Sequence, residues 1–293
     1  MKILIIGANG FLGKEITTLF LAHKIDFMTS SRSTTTDFSV DISNIKNFEV
    51  VPKNFFDVII NCATTLPGPD YLDANYLEKI YQTNILGSQN ICKWIHEQSS
   101  IKKIINCSSL AVVNKPWPLN VDETANTYPT GTHVLYSGSK LMQELIFETF
   151  ANQYQISLIQ LRFSALYGIN MPKSGIIWNF INQAQNKNCI SVENGDKFSA
   201  DFLNVIDAAR IILGAVNSHE TGIVNAASGT EVFLTDLANN VSKMFANTEV
   251  INVSSTKNFN ENRAVIDVQK LSKIIDVNSF IDFEKGLKQL INR

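Results

Sequence analysis

Short apolar runs alternate with longer amphipathic stretches over the first half of the chain. The apolar runs, which predict strands, are Lys2–Ile6, Asp26–Thr29, Asp57–Asn61, Lys103–Cys107 and Ile156–Leu161. The amphipathic stretches, which predict helices, are Phe11–His23, Asp73–Gln98 and Leu135–Tyr154. Strands that are apolar on both sides and separated by helices form parallel sheets with helices on both faces. The pattern therefore predicts an α/β fold of the doubly wound Rossmann type, which binds nucleotides.

The pattern changes after about residue 165. Shorter and more polar strand candidates alternate there with predicted helices at Gly175–Asn186, Ile206–Val216, Leu234–Phe245 and Phe283–Ile291. We expect a dinucleotide-binding Rossmann domain over residues 1–165 and a smaller C-terminal α/β lobe over 166–293 that closes over a substrate. We also expect the chain to cross between the two lobes.

The composition excludes several classes of partner. The formal net charge is −2 and the pI about 6.1, so no overall field favours nucleic acid or an anionic membrane. The apolar run at the start of the chain is too short for a signal peptide or a membrane span.

The sequence has no C-x-x-C spacing among its four cysteines, Cys62, Cys92, Cys107 and Cys189. We expect a cytoplasmic protein with buried, reduced thiols and no metal site.

A glycine-rich segment directly follows the first predicted strand. It reads Gly7-Ala8-Asn9-Gly10-Phe11-Leu12-Gly13 and opens the first predicted helix. In such a loop one glycine permits a tight turn, one lets the backbone approach a pyrophosphate, and one allows the helix to pack closely on the strand. The phosphate then lies at the positive N-terminus of the helix. The segment predicts a dinucleotide site with contacts from Gly7, Asn9, Gly10, Phe11, Leu12 and Gly13.

The end of the second predicted strand indicates which dinucleotide binds. An acidic residue about 20 positions beyond the loop would bind the ribose 2′-hydroxyl of NAD, but this chain has Ser30, Ser31 and Arg32 there. Hydroxyls and a guanidinium are donors that suit a 2′-phosphate. We therefore expect NADP at Ser31 and Arg32, with NAD as the alternative. Asp41 and Ile42 are candidate adenine contacts, although Asp41 equally fits a helix N-cap.

A tyrosine and a lysine begin the third predicted helix. Tyr136 and Lys140 are four residues apart, so that both side chains lie on one face of the helix. Since a tyrosine with its ordinary pKa of about 10 shuttles protons poorly at neutral pH, we expect the Lys140 ammonium to lower the pKa of Tyr136 and permit general acid–base catalysis. Ser108 and Ser109 directly follow the fourth predicted strand, at the edge where open α/β sheets bind ligands. A hydroxyl there can hydrogen-bond a carbonyl or alcohol.

These motifs, in this order, resemble those of the extended short-chain dehydrogenase/reductase family, which includes the nucleotide-sugar epimerases, dehydratases and reductases. Further segments similar to family motifs are Asn61–Ala63, Gln82–Ser88, Leu161–Gly168 and Asp201–Asp207. The resemblance implies that Ser109 completes a catalytic triad with Tyr136 and Lys140. It implies cofactor contacts from Cys62, Ala63, Asn84, Ser108, Tyr136, Lys140 and Phe163. It implies substrate contacts from Thr64, Ser109, Leu110, Ala165 and Arg263.

The same resemblance implies a homodimer. In that family the two long helices of each protomer typically pack against those of its partner as a four-helix bundle. In this chain the corresponding helices are Asp73–Gln98 and Leu135–Tyr154.

Departures from the family pattern favour a net reduction. Dehydratases of the family carry an Asp-Glu pair directly after the triad serine, where this chain has Leu110-Ala111. Ala165 and Ala200 replace an asparagine and an arginine that often contact substrate in epimerases. Since a net reductase commonly uses NADPH, Ser31 and Arg32 favour a reductase of a nucleotide-linked 4-keto-(6-deoxy)sugar.

Three alternatives stay open. One is a nucleotide-sugar 4-epimerase that uses bound NAD, and another is a reductase of a non-sugar ketone or aldehyde. The third is an NADP-binding redox-sensing regulator without turnover. Such regulators generally lack the Tyr/Lys pair that this chain retains, which favours an enzyme.

Overall fold

The structure is a computed structural model that describes residues 1–67, 73–131, 133–254 and 262–291. Within these residues the strands are β1 (Ile3–Ile6), β2 (Phe27–Ser31), β3 (Phe38–Ser39), β4 (Val58–Asn61), β5 (Lys103–Ser109), β6 (Ser157–Phe163), β7 (Ala165–Tyr167), β8 (Cys189–Glu193), β9 (Ser199–Asn204), β10 (Gly222–Ala226), β11 (Glu231–Phe233) and β12 (Glu249–Val253). The α-helices are α1 (Phe11–Ala22), α2 (Ala74–Ile80), α3 (Gly87–His96), α4 (Val134–Tyr154), α5 (Gly175–Lys187), α6 (Val205–Asn217), α7 (Leu234–Ser242) and α8 (Phe283–Ile291).

Seven strands form one large sheet, in the order β10-β6-β5-β4-β1-β2-β3. All six neighbouring pairs are parallel, as the alternation of apolar runs and helices predicts. All five strands predicted in the first half lie in this sheet, and the predicted doubly wound Rossmann-type α/β fold is confirmed.

The two faces of the sheet bury alternate residues of the same strand. In β1, Ile3 and Ile5 pack in a cluster with residues of α1 and α6, such as Phe20. Leu4 and Ile6 pack on the opposite face, in a cluster with residues of α3 and α4. Because successive side chains of a strand point to opposite faces, this two-sided burial explains why the strands are apolar throughout.

Three strands end later than the sequence predicts, and each extension carries candidate site residues. Strand β6 runs to Phe163 instead of Leu161. The second strand runs to Ser31 instead of Thr29, and β5 runs to Ser109 instead of Cys107. Ser31 pairs with Ser39, and Ser109 pairs with Phe163 at the end of β6. The candidate site residues therefore lie at the carboxyl edge of the sheet.

The predicted helix Asp73–Gln98 is divided into three parts. A π-helical turn, Tyr81–Leu86, separates α2 from α3. Such turns are rare and occur frequently at functional sites. The turn holds Asn84, one of the predicted cofactor residues.

The second half of the chain builds smaller sheets and returns to the large one. Strands β11-β9-β7 form a three-stranded sheet, and β12 pairs with β8. Strand β10 joins the large sheet beside β6, and α6 packs beside α1. The division at residue 165 stays a prediction, but the chain does come back to the large sheet as expected. Over the described ranges, no helix has the length and apolar character to cross a membrane.

Candidate active site

A groove of about 340 Å³ lies at the carboxyl ends of β1, β2 and β4. Ten predicted cofactor and substrate residues line it, namely Gly7, Asn9, Gly10, Ser31, Arg32, Asp41, Ile42, Cys62, Ala63 and Thr64. Ser33, Val40 and Thr83 also line the groove and were not predicted. For Ser33 the hydroxyl-rich run that continues beyond Arg32 was the available signal, and for Thr83 it was the family-like segment Gln82–Ser88. Nothing in the spacing marks Val40.

Two glycines of the loop are required by close backbone contacts. Gly7 has a φ of +86°, and a Cβ on it would lie 2.6 Å from the backbone nitrogen of Ala63. A Cβ on Gly13 would overlap the carbonyl oxygen of Gly7, so that only glycine lets α1 approach the loop this closely. These are two of the tasks that the glycine spacing predicts for a phosphate-binding loop.

One end of the groove is rich in hydroxyl groups. The Ser31 hydroxyl accepts a hydrogen bond from the Ser33 backbone nitrogen, at 3.0 Å. The Asn9 amide donates to the Thr35 hydroxyl at 3.1 Å, which links the glycine loop to this segment. Arg32 is exposed, and no carboxylate in the described part of the chain pairs with its guanidinium. Donors to an anion are therefore concentrated at the end of β2.

The Asp41 carboxylate faces the same groove. Its Oδ1 accepts hydrogen bonds from the backbone nitrogen and the hydroxyl of Ser43, at 3.0 and 2.7 Å. Asn44, rather than Asp41, caps the 3-10 helix Ile45–Val50. The helix-cap interpretation of Asp41 is therefore wrong, and its Oδ2 remains available to the groove.

The side chains of Ser109 and Tyr136 meet at the end of β5. The Ser109 hydroxyl accepts a hydrogen bond from the backbone nitrogen of Ala111 at 3.2 Å, which orients it at the start of the 3-10 helix Leu110–Val112. Burial raises the pKa of Tyr136 to about 12, and the hydrogen bond with the Ser109 side chain opposes this shift. The expectation of a lowered tyrosine pKa is wrong for this structure, because the desolvation of the phenolate dominates.

Lys140 is completely buried beneath this pair. Its ammonium donates to the Cys107 carbonyl oxygen at 2.6 Å and to the Gln143 side-chain oxygen. Burial lowers the pKa of Lys140 to about 8, while Cys107 and the Glu144 carboxylate raise it. The ammonium is therefore charged at neutral pH and held in place by acceptors that the sequence did not predict.

Asn84 lies at the centre of a buried hydrogen-bond network. Its amide nitrogen donates to the Ser139 hydroxyl at 2.8 Å, and its oxygen accepts from the Thr65 backbone nitrogen at 2.7 Å and from the Thr64 hydroxyl at 3.2 Å. The π-helical turn thus joins α4 to the segment that follows β4. This joint connects the groove to the helix that carries Tyr136 and Lys140.

Ser108 turns its hydroxyl away from the groove. It donates to the Glu144 carboxylate, which also receives two hydrogen bonds from Arg162, at 3.0 and 2.8 Å. Ser108, Glu144 and Arg162 are all buried. Ser108 therefore contributes to the support behind the site, and its predicted cofactor contact stays a prediction.

The other predicted residues lie outside the lining of the groove. Phe11 and Leu12 begin α1, and Phe163 is buried at the end of β6. Leu110 is buried in a small cluster with Val112 and Ile266, whereas Ala165 is exposed at the start of β7. The predicted contacts of these residues with cofactor or substrate stay predictions.

Arg263, a predicted substrate residue, is engaged within the protein. Its guanidinium donates two hydrogen bonds to Glu231, at 2.9 and 2.6 Å. That pairing lowers the pKa of Glu231. No cluster of potential metal ligands occurs among the residues that the structure describes.

Comparisons with known proteins agree with this geometry. The family model of the NAD-dependent epimerase/dehydratase family matches residues 3–227. The dTDP-4-dehydro-6-deoxyglucose reductase of Escherichia coli is 23% identical, over 99% of this chain and 96% of that protein. UDP-glucuronic acid decarboxylase 6 of Arabidopsis thaliana is 21% identical, over 98% of this chain and 87% of the relative.

Solved structures share the whole fold. An epimerase from Methanothermobacter thermautotrophicus superposes with a TM-score of 0.82 at 18% identity, over 98% of this chain and 90% of that one. The UDP-glucose 4-epimerase of Thermus thermophilus in complex with NAD gives a TM-score of 0.79 at 18% identity, over 100% of this chain and 98% of that one. The chain therefore belongs to the NAD-dependent epimerase/dehydratase family, whose members are NAD(P)-dependent enzymes of the extended short-chain dehydrogenase/reductase type.

Proposed function

We propose that this enzyme reduces the keto group of a nucleotide-linked 4-keto-(6-deoxy)sugar with NADPH. The observation that carries the proposal is the hydroxyl-rich, positively charged end of the groove at Ser31 and Arg32. A net reductase must exchange oxidised for reduced cofactor at every turnover, and NADPH is the common reductant for that purpose. The E. coli relative, a dTDP-4-dehydro-6-deoxyglucose reductase, supports the same substrate class.

The residues of the groove fit a dinucleotide with a 2′-phosphate. Backbone contact at Gly7 and Gly13 leaves the loop free of side chains where a pyrophosphate would approach the N-terminus of α1. Arg32 would pair with the 2′-phosphate, with Ser31 and Ser33 as further donors. Asp41 would accept from the adenine amino group, and Lys140 would donate to the ribose hydroxyls.

The chain's own residues would manage the proton and the carbonyl. When bound, NADPH supplies a hydride to the carbonyl carbon. The Ser109 hydroxyl orients the carbonyl oxygen, and Tyr136 donates its phenolic proton to that oxygen as negative charge develops on it. A pKa of about 12 keeps the phenol protonated before the transfer. The Lys140 ammonium then stabilises the phenolate that remains.

A nucleotide-sugar 4-epimerase is the second candidate. Solved structures with the same fold include the NAD complex of the UDP-glucose 4-epimerase of Thermus thermophilus. An epimerase retains its NAD through the catalytic cycle, so tight and non-exchanging cofactor would favour this candidate. A regulator without turnover is disfavoured, because Ser109, Tyr136 and Lys140 are all present and two of them share a hydrogen bond.

Calorimetric titration of the cofactor-stripped protein with NADPH and with NADH tests the proposal. We expect tighter binding of NADPH, and we expect the Arg32→Ala variant to lose roughly 10- to 100-fold of NADPH affinity, as for a charged hydrogen bond of about 1.5–3 kcal/mol. Binding of NADH should hardly change. Lys24→Ala is the matched control, since it removes an exposed charge beyond the opposite end of α1. Equal losses for both cofactors would place the 2′-phosphate elsewhere.

Turnover distinguishes the remaining alternatives. Oxidation of NADPH by 4-keto-6-deoxysugar nucleotides is expected for the reductase. Conversion of a UDP-sugar to its 4-epimer without net consumption of cofactor would support the epimerase instead. Reduction of simple ketones or aldehydes, with no activity on any nucleotide sugar, would overturn the proposed substrate class.

We also propose a homodimer in the cytoplasm. Exposed apolar side chains lie on α4, one of the helices for which the family resemblance predicts a four-helix bundle, and they include Met142, Leu145 and Tyr154. Exposed apolar patches of this kind mark protein interfaces. All four cysteines are free thiols, which fits a reducing compartment.

A further inference from the structure

Two thiols face each other at the carboxyl edge of the large sheet. Cys62 directly follows β4, and Cys107 lies within β5. The register of the two strands pairs Asn61 with Asn106. Cys62 and Cys107, one residue further along each strand direction, therefore lie side by side. Their sulfur atoms lie 3.4 Å apart, and both are free thiols. The sequence-based expectation of buried thiols is met by Cys92 and Cys107, whereas Cys62 and Cys189 are partly exposed.

The backbone around the pair can accommodate a disulfide. Neighbouring strands of a sheet run about 4.7–4.9 Å apart, which lies inside the range of about 4.4–6.8 Å between the Cα atoms of bonded cysteines. Because the two sulfur atoms already lie 3.4 Å apart, rotation of the two side chains together with a small approach of the two strands brings them to bonding distance.

Of the two cysteines, Cys62 alone lines the groove. Cys62 is partly exposed and lines the groove next to Gly7 and Ala63. Cys107 is buried behind it. Cys92 is buried on α3, and Cys189 lies on β8 in the C-terminal half of the chain. A reagent that enters the groove therefore meets Cys62 first, with Cys107 in position to react second.

We infer that Cys62 and Cys107 form a redox modification site that a disulfide oxidant such as glutathione disulfide converts to a Cys62–Cys107 disulfide, and that a dinucleotide in the groove shields it. The Cys62 thiolate attacks one sulfur of glutathione disulfide, forms a mixed disulfide and releases one glutathione. The Cys107 thiolate then attacks the Cys62 sulfur and releases the second glutathione. The protein loses two hydrogen atoms, and one glutathione disulfide is reduced to two glutathiones.

Oxidation would alter the site from both sides of the new bond. The Cys107 carbonyl oxygen accepts the hydrogen bond of the Lys140 ammonium. The backbone at Cys62 and Ala63 is packed against Gly7 too closely to admit even a Cβ. A disulfide that draws the two strands together therefore shifts the Cys107 carbonyl oxygen, which accepts from Lys140, and the backbone of Cys62 and Ala63, which packs against Gly7. We expect the oxidised protein to bind NADPH more weakly than the reduced protein.

The reaction is tested at mildly alkaline pH. The contact with Cys107 and burial raise the pKa of the Cys62 thiol, while the Lys140 ammonium opposes that shift. Attack requires a thiolate. Incubation at a pH of about 8.5 therefore gives a larger thiolate fraction, and a faster reaction, than incubation at neutral pH.

The experiment incubates the full, cofactor-stripped chain with glutathione disulfide, blocks the remaining thiols and maps the products by mass spectrometry. We expect a mass loss of two hydrogen atoms and a cross-linked peptide that joins Cys62 to Cys107. The Cys92→Ser/Cys189→Ser variant is the matched control and should form the same cross-link. Cys107→Ser should instead keep a glutathione adduct on Cys62. NADPH at about 100 times its Kd leaves only about one hundredth of the protein without cofactor. It should therefore slow the reaction roughly 100-fold.

Three results would overturn the inference. Wild-type protein could retain all four free thiols, could accumulate a glutathione adduct on Cys62 without the cross-link, or could form a cross-link that involves Cys92 or Cys189. A cross-link that forms equally fast with saturating NADPH would overturn the shielding. The cross-link needs no cofactor or substrate, so its outcome is independent of the proposed reductase activity.

Discussion

The Tyr136 phenol is protonated at neutral pH, as a proton donor must be before the transfer, and its buried position raises its pKa to about 12. Because general acids are most effective with a pKa near the operating pH, the bound cofactor and substrate must offset this shift for efficient transfer. We therefore expect Tyr136→Phe to retain NADPH binding in calorimetry while losing roughly 10²–10⁴-fold in turnover, which is the usual contribution of a general acid. Tyr128→Phe, which removes an exposed hydroxyl from the preceding loop, is the control and should be fully active. Retention of more than about a tenth of the activity by Tyr136→Phe would exclude the assigned role.

The Lys140 ammonium gives the site a second, pH-dependent property. Burial lowers its pKa to about 8, so the ammonium is charged below that pH and loses its charge above it. If the charged form holds the ribose hydroxyls, NADPH affinity should fall as pH rises from about 7 to about 9.5, measured by calorimetry across that range. The Lys140→Met variant should bind weakly and show no such decrease. An unchanged affinity in the wild-type protein over the whole range would mean that Lys140 does not contact the cofactor.

At the scale of helices and strands, the pattern of apolar positions predicts the strands that are buried on both faces of the sheet. The strands of the large sheet are apolar on both sides because Ile3 and Leu4 enter different clusters, and that signal lies in the sequence itself. The π-helical turn at Tyr81–Leu86 was not predicted, because one extra residue in a turn barely changes the hydrophobic period. Its position depends on hydrogen bonds of Asn84 to Ser139 and Thr65, which are distant in sequence.

The helix that carries Tyr136 and Lys140 is anchored to the sheet by a buried ion pair. Glu144 on α4 binds Arg162 on β6 at 2.8 Å, and both side chains are buried. Glu144→Gln leaves the Arg162 charge buried without a counter-ion, so we expect a loss of about 3–5 kcal/mol in the free energy of unfolding, measured by urea denaturation. The Glu144→Gln/Arg162→Met double variant should recover much of that loss, because the unpaired charge of Arg162 is removed together with its partner. Glu148→Gln, one turn further along α4 at an exposed position, is the control and should be nearly neutral.

At the scale of the whole molecule, long-range hydrogen bonds enclose the carboxyl edge of the sheet. The Asn225 side chain at β10 donates to the Val121 carbonyl oxygen, and its backbone nitrogen donates to Glu123. These contacts join the loop between β5 and α4 to the far edge of the sheet. The buried Asp201 of β9 in turn accepts from the backbone and hydroxyl of Ser228. Sequence patterns do not reveal such pairs. Most residues that line the groove were therefore predicted, whereas the hydrogen bonds that hold the surrounding loops in place were not.

The dimer prediction belongs to this largest scale. Met142 and Leu145 are 45% and 47% exposed on α4. Large apolar side chains that lie together on a protein surface often mark an interface. If a second protomer covers them, the wild-type protein should be a dimer in light scattering after size-exclusion chromatography, and Met142→Glu/Leu145→Glu should be a monomer, because two carboxylates per protomer would be desolvated in the interface. Leu21→Glu is the control, since Leu21 is 66% exposed on α1, on the opposite face of the sheet. A monomeric wild-type protein, or a double variant that remains dimeric, would show that α4 does not form the interface. A monomeric variant that still binds NADPH would show further that the groove is complete within one protomer, as its lining residues indicate.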